Sequence, residues 1–135
     1  MQENLDASHI VDLLKAAFGE TLLGIVLYGS QATGHATAGS DIDLAVFISG
    51  KTSQQLLWDK AQELACHFGK DVDLIDLKDA TTVLQKEVFQ HGVWLARIDE
   101  MACDLFETHV FSKYQQLQED RREIINDLLS RVKNG

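Results

Sequence analysis

Apolar positions along this chain recur at two spacings, and the alternation between them sets out the elements. In "SHIVDLLKAAFG" Ile10, Val11, Leu14 and Phe18 fall at helical spacing, with Ser8 placed to cap the start and Gly19 to stop the end. "TLLGIVLY" is short, apolar and β-branched, as a buried strand is, and "DIDLAVFIS" reads as a second strand. "SQQLLWDKAQELACHFG" returns to the helical period through Leu57, Ala61, Leu64 and Phe68, closed by Gly69. "KDVDLIDL" is a third strand, and "DATTVLQKEVFQHG" a helix capped by Asp79 and ended by Gly92. Beyond Asp99 no segment alternates like a strand. Ala102, Phe106, Val110, Tyr114 and Leu117 make one stripe and Ile125, Leu128, Leu129 and Val132 another, on one long helix or two shorter ones. This order predicts an α/β or α+β domain with a helical tail.

Composition narrows the class. The 135 residues suit one domain with a helical extension, and 45% apolar content suffices for one core. Acidic residues outnumber basic ones 21 to 12, a net charge of −9 that argues against broad nucleic-acid binding and permits a basic partner. Cys66 and Cys103 form no C-x-x-C pair, so neither zinc nor a disulfide framework is expected, and both read as buried thiols in a reducing compartment. No signal peptide or membrane-spanning run is visible, so a cytoplasmic protein is expected.

The stretch "GSQATGHATAGSDID", residues 29–43, joins the first two strands and carries the candidate chemistry. Period-2 geometry sets Asp41 and Asp43 on one face of the second strand. Two carboxylates so close repel, and a hard divalent ion such as Mg²⁺ relieves the repulsion while keeping room for substrate phosphates. If the first two strands pair, Gly29 and Ser30 stand beside that acidic end; Gly29 admits close backbone approach to a ligand. Ser30 could cap the following turn or offer its hydroxyl to phosphate. Asp73 sits inside the apolar run "DVDLIDL", where an unpaired carboxylate is costly, and becomes a third ligand if the third strand lies beside the second. Asp71 and Asp76 flank the run as solvent-facing or turn residues. A lone D-x-D is usually turn chemistry, but the combination at fixed distance between strands is a far more specific signal.

Gly29-Ser30, ten intervening residues and Asp41-Ile42-Asp43 resemble the GSx10DxD signature of the polymerase beta nucleotidyltransferase superfamily. The run "LYGSQATGHATAGSDIDLAVF" is similar to its minimal (MNT) members, and "DVDLIDL" and "LQKEVFQHGVWL" to the family's later blocks, over about residues 8 to 95. The whole chain resembles the MNT antitoxins encoded beside HEPN ribonuclease toxins. The resemblance implies a small mixed sheet flanked by helices, with residues 1–98 as the nucleotidyltransferase domain and 99–135 as a helical extension packing on the domain or on a partner. It further implies that Asp41, Asp43 and Asp73 hold two Mg²⁺ ions, that Asp73 helps deprotonate the acceptor, and that Gly29 and Ser30 hold the ATP phosphates. The acceptor implied is a tyrosine of the cognate HEPN toxin, which AMP would neutralise.

Many members carry arginines after Gly-Ser; this chain has Gln31-Ala32-Thr33-Gly34. Lys51, Lys70, Arg97 or the acceptor protein could supply the missing charge. Two other readings stand beside the transferase: an antitoxin acting by contact alone, and a transferase for a small molecule of aminoglycoside type, for which the helical tail leaves little acceptor-binding room. Trp58 and Trp94 are expected to pack, and His35, His67, His91 and His109 have no metal-ligand spacing.

Overall fold

Asp6, not Ser8, begins the first helix. Its carboxylate accepts from the His9 N–H and the Ser8 hydroxyl, so α1 (Ala7–Phe18) starts two residues earlier than a cap at Ser8 would set it. The computed structural model describes residues 6–37 and 39–134; the outer limits of the two expected regions, at residues 1 and 135, and Ala38 of the loop lie outside them. After α1 come β1 (Leu22–Tyr28), the single-turn α2 (Ser30–Thr33), β2 (Ile42–Ile48), α3 (Gln54–Phe68), β3 (Val72–Asp76), α4 (Thr82–His91), β4 (Val93–Arg97) and α5 (Glu100–Asn134). Thr81 caps α4 through a bond from the Leu84 N–H, displacing the expected Asp79, which lies in a 3-10 turn.

The strands form one mixed sheet in the order β3-β2-β1-β4. β1 runs antiparallel to β2 and β4, while β2 and β3 are parallel, joined by the α3 crossover. β4 is absent from the periodicity reading. Its five residues follow α4 after one glycine and show no polar alternation, so only pairing with β1 defines them as a strand.

Helices cover both faces, which is why "LAVFI" of β2 is continuously apolar. On one face Ile25, Ile42, Leu44 and Val46 meet Ile10 and Leu14 of α1 and Leu57 and Leu64 of α3. On the other, Val26, Ala45 and Phe47 meet Val88 and Phe89 of α4 and Cys103 and Val110 of α5. Each fully buried Leu or Ile contributes about 1.5–3 kcal/mol over leaving it in water. Cys103 is buried with its thiol directed at the Leu23 carbonyl, whereas Cys66 is exposed, against expectation, because it falls on the outer side of α3. Of the two readings of Asp76, the turn role holds and the solvent-facing one does not: only 4% exposed, it caps the 3-10 turn Leu77–Asp79 by accepting from the Lys78 N–H.

The tail is one 35-residue helix. Its stripe covers the protein's own sheet only as far as Tyr114; from Gln115 onward the described side chains are exposed. Among the described residues no helix is long and apolar enough to cross a membrane.

Candidate active site

Pairing of three strands brings the sequence-predicted carboxylates to one end of the sheet. Tyr28 of β1 lies opposite Asp43 of β2, and Asp43 lies beside Asp73 of β3. The Ile42 N–H donates to the Asp71 carbonyl (2.9 Å), fixing the β2–β3 register where it matters. Alternation then sends Tyr28, Asp43 and Asp73 to the face of Ala45 and Phe47, while Ile42 and Leu44 enter the opposite core. Asp41 precedes β2 and is exposed, Asp73 is exposed, and Asp43 is half-buried.

The electrostatics follow from that crowding. Burial first, then the Asp73 and Asp41 charges, push the Asp43 carboxyl above the usual carboxylate range. Burial, with Asp73 and Asp43 behind it, pushes the Tyr28 phenol well above its ordinary value. Tyr28 thus borders the acidic cluster. Its position opposite Asp43 was readable from strand alternation once the pairing was known.

Gly29 adopts φ 72° and ψ −156°, a conformation that L side chains rarely adopt, and the Asp43 carboxylate occupies the space a β-carbon there would need. The Gly29 carbonyl accepts from the Ala32 and Thr33 N–H groups to form α2. Ser30 opens that turn, and no side-chain hydrogen bond caps it, so the expected cap role falls to the Gly29 backbone. The rest of the loop is tied by its own polar groups. The Thr37 N–H donates to Ser40 Oγ (2.8 Å), and Gln31 Nε2 reaches the Ser40 carbonyl (3.4 Å), spanning the loop.

Of the three cations offered as substitutes, only Lys70 stands at this end, lining a cavity of about 400 Å³ with Asp41, Cys66, Gly69 and Asp71. Lys51 follows the far end of β2, and Arg97, paired with Asp104 beside the start of β1, is equally remote. Trp94 packs on Phe89 and against Gly24, Trp58 is exposed, and His67 stacks on His9 (3.6 Å between centroids). His35 bonds to Thr33.

Among the described residues no three carboxylate, thiol or imidazole groups converge into a ready-made cation cage. Asp41, Asp43 and Asp73 nevertheless fit a hard divalent ion that keeps open positions for phosphate. They offer hard oxygen donors from adjacent backbone, with Asp43 and Asp73 side by side in the β2–β3 register and Asp41 two residues before Asp43.

Comparisons with known proteins identify the family and the fold. Residues 9–101 match the family described as polymerase beta nucleotidyltransferase. The chain is 35% identical over 130 residues to the protein adenylyltransferase MntA of Shewanella oneidensis, covering 95% of this chain and 91% of that protein. Among solved structures it resembles a toxin–antitoxin with AMP-PNP (TM-score 0.81, 36% identity, 93% of this chain and 99% of that one). It also resembles a tri-AMPylated Shewanella oneidensis HEPN toxin in complex with its MNT antitoxin (TM-score 0.75, 34% identity, 93% and 97%). With its strand order, its Gly-Ser loop and its carboxylates read together, the chain belongs to the polymerase beta nucleotidyltransferase family, on its minimal, MntA-like branch.

Proposed function

We propose that this chain is a protein adenylyltransferase that moves AMP from ATP to a tyrosine of a cognate HEPN ribonuclease toxin, acting as the antitoxin of that pair in the cytoplasm. The observation that carries the reading is the clustering of Asp43 with Asp73 and Asp41 beside Gly29, in a chain that matches an adenylyltransferase over nearly its whole length. We read residues 1–98 as the transferase domain and 99–135 as an extension whose first turns pack on it.

In this reading Asp41 and Asp43 hold Mg²⁺, two ions with Asp73 included, and Gly29 and Ser30 receive the β- and γ-phosphates. Bound Mg²⁺ would neutralise charge on the attacking and leaving oxygens of an in-line displacement. Asp73, exposed at the outer strand, takes the proton of the incoming phenol as its oxygen bonds to the α-phosphorus and the bond to pyrophosphate breaks. The Asp43 carboxylate, held against Gly29, fixes where the phosphates meet the metal-binding end of β2.

A second reading, inhibition by contact alone, is favoured by Gln31 in place of arginine and by the uncovered half of α5. Intact mass of the toxin after incubation with this protein, Mg²⁺ and ATP separates the two. Addition of one or more AMP units, lost in Asp41→Asn and Asp43→Asn, is expected. An unchanged mass with the toxin still inhibited favours the contact reading.

A further inference from the structure

The apolar face of α5 is continuous in phase, and the fold uses only half of it. At about 100° per residue, Cys103, Phe106, Val110 and Tyr114 share one arc of the helix. These residues meet the position of Gly24 in β1, Phe47 of β2 and Lys86 of α4. Leu117, Ile124, Leu128 and Val132 continue the same arc, and Ile125 and Leu129 widen it to about 140°. In this half Ile124 is 61%, Leu128 53% and Val132 79% exposed. The segment 115–134 would extend about 30 Å.

We propose that this distal face is the docking surface for the toxin that the transferase modifies, an inference that rests on the adenylyltransferase reading. Two observations select that occupant over a second copy of the chain. First, segment 115–134 carries four acidic and four basic residues, so the whole excess of −9 lies on the body. Two such bodies repel each other, whereas a partner that grips RNA presents basic surface to which the acidic body is complementary. Second, an arc this wide exceeds the narrow seam of two paired helices and suits a helix seated between two elements of a different protein. Because α5 crosses the sheet at the end away from Asp43, docking there tethers the acceptor without filling the site.

The test uses the full chain and full-length toxin. Ile124→Glu/Leu128→Lys keeps the net charge and sets Glu four residues before Lys, a pairing that supports the helix. Asn126→Glu/Ser130→Lys makes the same change on the opposite face. Light scattering and titration are expected to show this chain alone as a monomer, with wild type and the Asn126/Ser130 variant binding toxin alike. The Ile124/Leu128 variant should bind at least about 100-fold more weakly, with its AMP-transfer rate restored at saturating toxin. Absence of any wild-type complex overturns the proposal. So does equal binding by the Ile124/Leu128 variant, or a wild-type homodimer that this variant splits while toxin binding persists. If the Ile124/Leu128 variant loses binding while wild type leaves the toxin's mass unchanged, the docking surface stands and the adenylyltransferase reading falls.

Discussion

The Asp43 carboxylate and the missing side chain of Gly29 compete for one space: the oxygen lies where a β-carbon would stand. Gly29→Ala must therefore displace Asp43 or shift the loop, and it also strains a backbone at φ 72°. Transfer activity is expected to fall by about 100-fold, since a displacement near an ångström in a reacting constellation costs that much. Unfolding free energy should drop by only about 1–3 kcal/mol. Gly34→Ala is the control: at φ 79° and ψ 8° it lies in the left-handed helical region, a milder strain for an L side chain than that at Gly29, and nothing beyond its chain neighbours lies within 4 Å of its β-carbon position. It should lose stability alone; equal loss of activity in both variants would assign the effect to backbone strain.

Asp43→Asn separates function from stability. Asp43 holds its charge against burial and against Asp73 and Asp41, so the neutral amide should leave the metal-free protein as stable as wild type or more so. Calorimetry with added Mg²⁺ should stabilise wild type by about 2.7 kcal/mol at a hundredfold excess over its dissociation constant, and the variant hardly at all. Equal stabilisation of both proteins would remove Asp43 from the metal site.

Asp76 makes a different pH prediction. Burial raises its carboxyl above the ordinary range, opposed by the Lys78 N–H. A raised folded-state value means the ionised form is disfavoured in the native protein. Its contribution is therefore complete below the unfolded-state value and is lost as pH rises through the folded-state one. Asp76→Asn retains an acceptor for Lys78 and should flatten the acid-to-neutral slope of melting temperature. An unchanged slope would assign that dependence to the Asp43 cluster.

The strands and their acids were legible because the apolar runs of β2 and β3 are broken by a few carboxylates. Asp41, Asp43 and Asp73 stood out for that reason, and the β2–β3 pairing then set two of them side by side. Other features depend on partners that no local pattern names. β4 exists because β1 has a free edge, and Asp76 turns inward because a 3-10 turn presents the Lys78 N–H to it. The caps at Asp6 and Thr81 were missed by short shifts along the chain, since Ser8 and Asp79 are equally competent residue types. The crowding of Tyr28 likewise arises only when β1 pairs with β2.

The distal half of α5 should be thermodynamically almost separate from the body. Truncation after Leu117 removes side chains that are exposed in the fold, so the melting free energy should change by no more than about 0.5 kcal/mol. Leu44→Ala, at a position with no exposure, should cost about 2–5 kcal/mol. A large loss on truncation would mean that the arm folds back on the body in solution.

The parallel pairing of β2 with β3 also has a consequence in time. A hairpin-like closure can join β1 to β2 early, but Asp73 arrives only after the α3 crossover has closed, and Cys103 and Val110 seal the face behind it later still. Non-local contacts of this kind form late in folding. On the ribosome, the growing chain would carry its Gly-Ser loop and two of its carboxylates well before the third is in register, and would become a competent transferase only once the start of α5 has emerged. Newly made toxin would then meet a delay set by translation of its own antidote.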